Sequence, residues 1–150
     1  MHIRLTQDTK DKDWLQLRAE FIPELNLGEQ AAFLDAFAQA SAGFCGFVAH
    51  DQAEKAQGFA EVSIRTDYVN GCRHRPALYL EGIYVRPECR GQGMAKALCA
   101  AAEQWGLSRG CREFASDVYI DDVDSLAAHA GLGFVETERV VYFAKPITGA

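Results

Sequence analysis

The sequence predicts a mixed α/β fold, with one central sheet that carries helices on both faces. Two observations support this class. Short apolar segments of the strand type follow one another as in hairpins, and a strand–helix–strand series comes after them. Hairpins give antiparallel pairs and crossovers give parallel ones, so the sheet should be mixed. At 150 residues and 49% hydrophobic, the chain suits a single domain over residues 1–150.

The first half of the chain predicts two helices among three strands. Apolar residues recur at helical spacing around Trp14 and again after Leu27, whereas the later segments are short apolar runs. In chain order we expect the strand His2–Thr6, a helix that Asp8 or Thr9 caps and Pro23 ends, the helix Leu27–Ala40, and the strands Phe44–His50 and Gly58–Thr66.

The second half of the sequence predicts the strand–helix–strand crossovers. The polar stretch Tyr68–Pro76 has turn chemistry and should be a loop, and Pro87 should end the strand after it. In order we expect the strand Leu78–Val85, a helix from about Gly93, a strand over Glu113–Tyr119, a helix over Asp124–Ala130, and the closing strands Phe134–Glu136 and Arg139–Phe143.

Charge and composition exclude several classes of function. The chain has 15 basic and 21 acidic residues and a net charge of -6, so it has no basic footprint for nucleic acid or anionic lipid, although a cationic ligand would be compatible. Residues Met1–Asp8 lack the apolar stretch of a secretory signal, and no window approaches the roughly 18 apolar residues of a membrane span. We therefore predict a cytoplasmic protein.

The cysteines and histidines predict neither disulfides nor a metal site. The five cysteines are scattered without a CxxC pair, so we expect free thiols, with Cys99 in the core. The four histidines fall at no ligand spacing, so no metal is expected.

The most informative segment is the turn that follows the strand Leu78–Val85. Arg90-Gly91-Gln92-Gly93-Met94-Ala95 is basic and glycine-rich, and it opens a helix. The first amides of a helix have no intrahelical partner, and together with the helix dipole they favour an anion such as phosphate. The segment lacks the Lys-Ser/Thr pair of a Walker A loop and the GxGxxG of a Rossmann turn.

This turn resembles the (Q/R)xxGx(G/A) signature of the GNAT N-acetyltransferase superfamily. The resemblance implies an acetyl-CoA cosubstrate and a mostly antiparallel sheet that splays at the acetyl-CoA strand. It implies that the pyrophosphate binds Arg90, Gly91, Gln92, Gly93, Met94 and Ala95. It also implies that pantetheine lies along Ile83, Tyr84 and Val85, with an amide near Val85 steadying the thioester oxygen.

Two acids are candidates for handling the amine proton. Glu81 lies in the strand Leu78–Val85, where alternation places it opposite Leu80, Gly82 and Tyr84, and Asp117 lies in the next strand. Neighbouring parallel strands would bring these acids together, which suits deprotonation of an ammonium group. The alternative is that both are solvated charges at strand ends.

The proton donor for the departing thiolate is left open among three candidates. Residues 128–134 resemble the superfamily's helix that ends in Gly-Phe, and His129 stands where a tyrosine often protonates the thiolate. Neutral imidazole can donate, but His129 could instead be a structural histidine. Tyr142 and water are the other candidates.

A finer resemblance links most of the chain to the aminoglycoside 6'-N-acetyltransferases. It is carried by the blocks 14–18, 58–65, 67–71, 80–85, 113–117 and 133–143. It implies that Glu81 is the base or holds its water, and that Asp117 grips the sugar that bears the amine. Further implied lining residues are Tyr68, Glu136 and Glu138.

The same resemblance implies a homodimer, with the apolar segment Val140–Phe143 near an exposed edge. The chain also departs from that family. Phe21-Ile22-Pro23 replaces the expected Leu-Trp-Pro, and the second helix is less acidic than expected, with Glu29 and Asp35 among apolar residues. The alternatives for the acceptor are a polyamine, a small metabolite amine or a protein N-terminus, and a non-enzymatic alternative is an acyl-CoA binding module.

Overall fold

The computed structural model describes residues 1–149. They fall into two compact units, of which the first, Met1–Asp117, contains the whole sheet and the second begins at Val118. The elements of the first unit are β1 (His2–Thr6), α1 (Lys12–Phe21), α2 (Leu27–Ala40), β2 (Phe44–His50), β3 (Ala56–Arg65), β4 (Ala77–Val85), α3 (Met94–Ser108) and β5 (Phe114–Ala115). The second unit contains α4 (Val123–Gly131).

The sheet confirms the predicted fold class. Its strand order is β1-β2-β3-β4-β5, so every strand lies beside its neighbour in sequence. The pairs from β1 to β4 are antiparallel, and β5 pairs with β4 in parallel after the crossover through α3. The sheet is therefore mixed and mostly antiparallel.

Local capping chemistry defines where the first two helices begin. Asp11 caps α1, since its carboxylate accepts from the amides of Asp13 and Trp14, so the predicted caps Asp8 and Thr9 are wrong by a few residues. Asn26 and Glu29 form a capping box at the start of α2, which satisfies two otherwise unpaired amides.

Helices pack on both faces of the sheet, as predicted. On one face α1 and α2 contribute Trp14, Leu17 and Leu34 to a core with Phe44 and Phe59 of the strands. On the other face α3 approaches β4 closely, because a Cβ at Gly106 would lie 2.9 Å from a Leu78 methyl carbon. All five cysteines are free, and Cys99 is 3% exposed, as expected for a core residue.

The end of the predicted sheet differs from the structure. The strand expected over Glu113–Tyr119 is only two residues long, Phe114–Ala115. The helix expected over Asp124–Ala130 is confirmed as α4. The closing strands expected over Phe134–Glu136 and Arg139–Phe143 are wrong for the described residues, where neither segment is assigned to a strand. Strand propensity alone therefore does not determine whether these segments form strands.

We expect Gly46→Ala to lower the free energy of unfolding by roughly 1–3 kcal/mol, because core overpacking costs about that much. Gly46 lies in β2 against α1, and an added Cβ would meet the Trp14 ring at 2.8 Å. Urea unfolding followed by tryptophan fluorescence measures the change. The matched control is Gly28→Ala in α2, where the new methyl would meet only the Asn26 side-chain oxygen at 3.4 Å. Equal stability of the two variants would contradict the packing at Gly46.

Candidate active site

The turn after β4 has the geometry of an anion site. Gly91 and Gly93 have φ angles of 75° and 80°, which side chains disfavour, and a Cβ at either would have no atom within 4 Å. The backbone of this turn is therefore open to an approaching ligand. The helix α3 begins at Met94, and Ala97 N makes its first internal bond to Gly93 O at 3.0 Å. The preceding amides point outward from the helix N-terminus.

Arg90 is anchored beside this turn. Its Nε donates to Val85 O at 2.9 Å, and its guanidinium carbon lies 5.9 Å from the centroid of the Tyr84 ring. This geometry holds a positive charge between the end of β4 and the helix start. The donors present, open backbone amides and one guanidinium, fit a pyrophosphate group.

The pairing of β4 with β5 ends before the part of β4 where the cosubstrate is expected. Among the described residues β5 pairs with β4 only at Leu78 and Tyr79, so the strand beyond Tyr79 has a β ladder on the β3 side alone. Ile83, Tyr84 and Val85 lie in that part of the strand. The predicted splaying of the sheet is confirmed, and backbone groups on the splayed side can pair with an extended ligand.

Arg86 links the end of β4 to α1 through Glu20, a contact that the sequence does not predict. Its Nη2 and Nε lie 2.7 Å and 3.0 Å from the two Glu20 carboxylate oxygens, and its Nη1 donates to Ala56 O at 2.8 Å. The bonds from Arg86 lower the pKa of the Glu20 carboxyl. This bidentate pair fixes the strand end from which the anion-binding turn departs.

A β-bulge directs Glu81. In the β3–β4 ladder Glu61 lies opposite Gly82, whereas Val62 lies opposite Leu80, so Glu81 is the extra residue of the bulge. The alternation expected for this strand is therefore wrong in part. Tyr84 packs against the core on the side of α1 and α2, and Glu81 lies on that same side rather than opposite Tyr84.

Two residues of β3 hold the Glu81 carboxylate. Ser63 Oγ donates to Glu81 Oε1 at 2.6 Å, and Arg65 Nη2 lies 2.9 Å and 3.2 Å from the two carboxylate oxygens. The Glu81 side chain is only 12% exposed, so the carboxylate is both oriented and largely removed from bulk water. The alternative of a solvated strand-end charge does not describe Glu81.

Asp117 is connected to the same cluster through Tyr79. The Tyr79 hydroxyl donates to Asp117 Oδ1, and the Arg65 guanidinium carbon lies 3.4 Å from the centroid of the Tyr79 ring. Asp117 is exposed and lies beyond the end of β5, so the expectation that it stands in the neighbouring strand is wrong. A chain of contacts through Arg65 and Tyr79 links it to Glu81. Neither Arg65 nor Tyr79 was selected from the sequence, because only the β3–β4 register brings them together.

Beneath Glu81 lies a second, fully buried polar network. Arg18 of α1 pairs with Glu61 of β3, and Trp14 Nε1 donates to Glu61 Oε2 at 3.0 Å. Gln30 of α2 accepts from Arg18 Nε at 3.0 Å. Burial raises the pKa of the Glu61 carboxyl, and the bonds from Arg18 and Trp14 oppose that rise.

A cavity of about 100 Å³ reaches these acids from the side of the helices. Aromatic and aliphatic walls surround the charged groups. Its lining residues are Arg18, Phe21, Ile22, Phe33, Phe37, Phe44, Glu61 and Glu81. A larger cavity of about 250 Å³ is lined by residues of α3, the start of β4 and the β5 region, including Glu103 and Phe114, but by none of the predicted site residues.

Of the remaining predicted site residues, Tyr68 lies in a loop of the first unit and the others lie in the second unit. Tyr68 is 63% exposed, and the Arg75 guanidinium carbon lies 5.9 Å from its ring centroid. In the second unit Tyr142 is 88% exposed, and Glu136 pairs with Arg139. Glu138 lies between these last two residues in sequence and is also exposed.

His129 lies in α4 with a defined hydrogen bond. Its Nδ1 is 2.8 Å from Ser125 O, and its ring centroid is 5.3 Å from that of Phe134. A carbonyl oxygen can only accept, so Nδ1 carries a proton, and in the neutral ring Nε2 is then the acceptor. The ring must be protonated before Nε2 can donate.

Residues 1–149 contain neither a cluster of metal-ligand side chains nor a membrane-spanning helix. No group of three or more His, Cys, Asp or Glu side chains is placed to bind a metal ion together. No helix in this part of the chain is long and apolar enough to cross a membrane.

Comparisons with known proteins agree with this geometry. A model of the acetyltransferase (GNAT) family matches residues 12–134. Aminoglycoside N(6')-acetyltransferase type 1 of Salmonella enteritidis is 42% identical over 97% of this chain and 99% of its own. The enzyme of the same name from Stenotrophomonas maltophilia is 44% identical, and the match covers 89% of this chain and 86% of that enzyme.

Solved structures show the same relationship. AAC(6')-Iy in complex with the bisubstrate analogue CoA-S-monomethyl-acetylneamine is 40% identical, with a TM-score of 0.85, and the match covers 98% of this chain and 100% of that one. AAC(6')-Ih from Acinetobacter baumannii is 38% identical, with a TM-score of 0.85 and coverage of 97% and 98%. This chain belongs to the acetyltransferase (GNAT) family, and within it to the aminoglycoside N(6')-acetyltransferases.

Proposed function

We propose that this protein transfers the acetyl group of acetyl-CoA to the 6'-amine of an aminoglycoside, as a single catalytic domain over residues 1–150. The observation that carries the proposal is the pair of acids, Glu81 and Asp117, joined through Arg65 and Tyr79 on the strand that leads into the anion-binding turn. The family match over residues 12–134 extends across the boundary between the two compact units, which supports one functional domain.

Acetyl-CoA would be bound by backbone groups of β4 and the turn after it, and by the positive charge of Arg90. The open amides from Gly91 to Ala95 and the Arg90 guanidinium would hold the pyrophosphate. The splayed edge of β4 at Ile83, Tyr84 and Val85 would pair with the amides of pantetheine, and the Val85 amide would donate to the thioester oxygen as charge develops there. Gln92 and Met94 complete the turn that presents these groups.

Glu81 would prepare the acceptor amine. An ammonium group cannot attack a thioester, so Glu81 takes its proton directly or through one water. The neutral nitrogen then forms a bond to the carbonyl carbon, and the carbon–sulfur bond breaks to release the CoA thiolate. The nitrogen gives up its second proton to water, which leaves the neutral amide. Asp117 would bind the amine-bearing sugar by charge attraction, with Tyr68, Glu136 and Glu138 as further lining residues.

The released thiolate takes up one proton. His129, Tyr142 and water are the three candidates for its donor. For His129, donation from Nε2 requires the protonated ring, since Nδ1 is engaged with Ser125 O. A protonated imidazole that gives up its proton to the thiolate leaves the hydrogen bond to Ser125 intact.

We expect the purified protein to release CoA thiol from acetyl-CoA with an aminoglycoside that bears a 6'-amine, and not with a matched one that bears a 6'-hydroxyl. The physical reason is that only the amine can both lose a proton to Glu81 and form the amide. Thiol release is followed with a colorimetric thiol reagent. Release with a polyamine, a small metabolite amine or a peptide N-terminus but with neither drug would replace the proposed acceptor. No release with any amine would favour a non-catalytic acyl-CoA binding module.

Glu81→Gln should lower the turnover number by roughly 10²–10⁴-fold, the usual contribution of a general base. The apparent KM for acetyl-CoA should change little, because the amides of the anion-binding turn are untouched. Steady-state kinetics with saturating aminoglycoside measures both constants. Glu24→Gln, at an exposed carboxylate between α1 and α2, is the matched control and should keep wild-type turnover. Wild-type turnover of Glu81→Gln would reject the role of Glu81.

We also propose that the protein acts in the cytoplasm as a homodimer. The exposed apolar segment near the C-terminus supports the pairing of two chains. Val141, Tyr142 and Phe143 are 77%, 88% and 92% exposed, although their sequence favours a strand. A second copy would provide apolar cover for this segment.

We therefore expect sedimentation equilibrium to give twice the chain mass of 16.5 kDa, and Val141→Lys to shift the protein towards the single-chain mass. A charge placed in an apolar interface is desolvated without a partner, which weakens association. Ile147→Lys, at a residue that is 82% exposed outside this segment, is the control and should keep the wild-type mass. A single-chain mass for the wild type at every concentration would reject the dimer.

A further inference from the structure

Tyr79 makes a specific contact with one of the two candidate acids. Its side chain is largely buried, 7% exposed, and its hydroxyl donates to Asp117 Oδ1. Burial and the neighbouring Asp117 raise the pKa of the Tyr79 phenol well above its usual value. The hydroxyl therefore keeps its proton across the range in which an acetyltransferase works, and it acts as a constant donor to Asp117.

Arg65 makes two kinds of contact at once. Its Nη2 lies 2.9 Å from Glu81 Oε1 and 3.2 Å from Oε2, and its Nε lies 3.3 Å from Oε1. Its guanidinium plane also covers Tyr79, with 3.4 Å between the guanidinium carbon and the ring centroid. Arg65 thus contacts both Glu81 and Tyr79, and Tyr79 in turn donates to Asp117.

The β3–β4 register explains why these side chains meet. Ser63 lies opposite Tyr79 and Arg65 lies opposite Ala77, so Ser63, Arg65 and Tyr79 share one face of the sheet. Glu81 is the extra residue of the bulge and has no cross-strand partner of its own. Without Ser63 and Arg65 its carboxylate would have no bond to a neighbouring strand.

We propose that Arg65 and Tyr79 are positioning residues that join the carboxylates of Glu81 and Asp117 into a single acceptor site, an inference that rests on the proposed function. Arg65 orients Glu81 and stacks on Tyr79, and Tyr79 orients Asp117. With both acids ionised, the cluster has two negative charges and one positive charge. A single substrate ammonium then neutralises it, which favours binding of one amine at the point where proton transfer occurs.

The first test removes one hydrogen bond and keeps the ring. Tyr79→Phe should lower kcat/KM for the 6'-amino aminoglycoside roughly ten-fold, the effect of losing one hydrogen bond to a charged group. The KM for acetyl-CoA should not change. In an Asp117→Asn background the same substitution should have little further effect, because Tyr79 acts through Asp117. An equal loss in both backgrounds, or no loss in either, would overturn the role of Tyr79.

The second test separates the charge of Arg65 from its forked geometry. Arg65→Gln should lower kcat for the aminoglycoside more than ten-fold, and Arg65→Lys should restore part of that loss, since lysine keeps the charge but not the bidentate contact. Equal activity of Arg65→Gln and the wild type would overturn the role of Arg65. So would an effect confined to the KM for acetyl-CoA.

Matched controls exclude a general loss of stability. Arg109→Lys changes an exposed arginine that lies 5.0 Å from the Trp105 ring centroid, and Tyr119→Phe removes a hydroxyl from a residue that is 85% exposed. Both should keep wild-type kinetics, and thermal unfolding of all variants is measured alongside. Wild-type turnover of both Glu81→Gln and Asp117→Asn would reject the proposed acids and this inference with them. Loss of turnover in those two variants, with full activity in Tyr79→Phe and Arg65→Gln, would reject only the inference.

Discussion

The β-bulge between β3 and β4 is the constraint on which the rest of the candidate site depends. It makes Glu81 an extra residue and places Gly82 opposite Glu61. A Cβ at position 82 would lie 2.9 Å from Glu61 Oε1, so a larger residue there would displace the buried Glu61 carboxylate. The bulge thereby allows two glutamates from neighbouring strands to lie on the same side of the sheet, one fully buried and one at the cavity.

The buried glutamate is tolerated because α1 and α2 supply its partners. Arg18 and Trp14 bond to Glu61, and Gln30 bonds to Arg18. A buried pair of this kind contributes little net stability, since desolvation offsets most of the attraction, but removal of one partner leaves an unpaired buried charge. The network therefore specifies how α1 and α2 pack on the sheet. The same helices provide walls of the cavity beside Glu81.

The sequence predicted those parts of the protein that depend on local chemistry. The run from β4 through Pro87 and the glycines to α3 is determined by proline, by positive φ angles and by helical periodicity, and the structure confirms it. The bulge, Arg65 and Tyr79 were not predictable in this way, because they depend on the register of one strand against another. The segment 139–143 was predicted as a strand from propensity alone, which does not determine whether a segment forms a strand.

An arginine within the proposed acidic acceptor site at first opposes the binding of a cation, yet it suits amine acetylation. Two neighbouring carboxylates with no cation between them would repel each other, and a guanidinium offsets part of that repulsion. A guanidinium cannot be deprotonated at working pH, so Arg65 supplies a permanent positive charge beside Glu81 and does not compete for the amine proton. A lysine at the same position would keep the charge but not the forked contact with both Glu81 oxygens. The guanidinium provides both the charge and that contact.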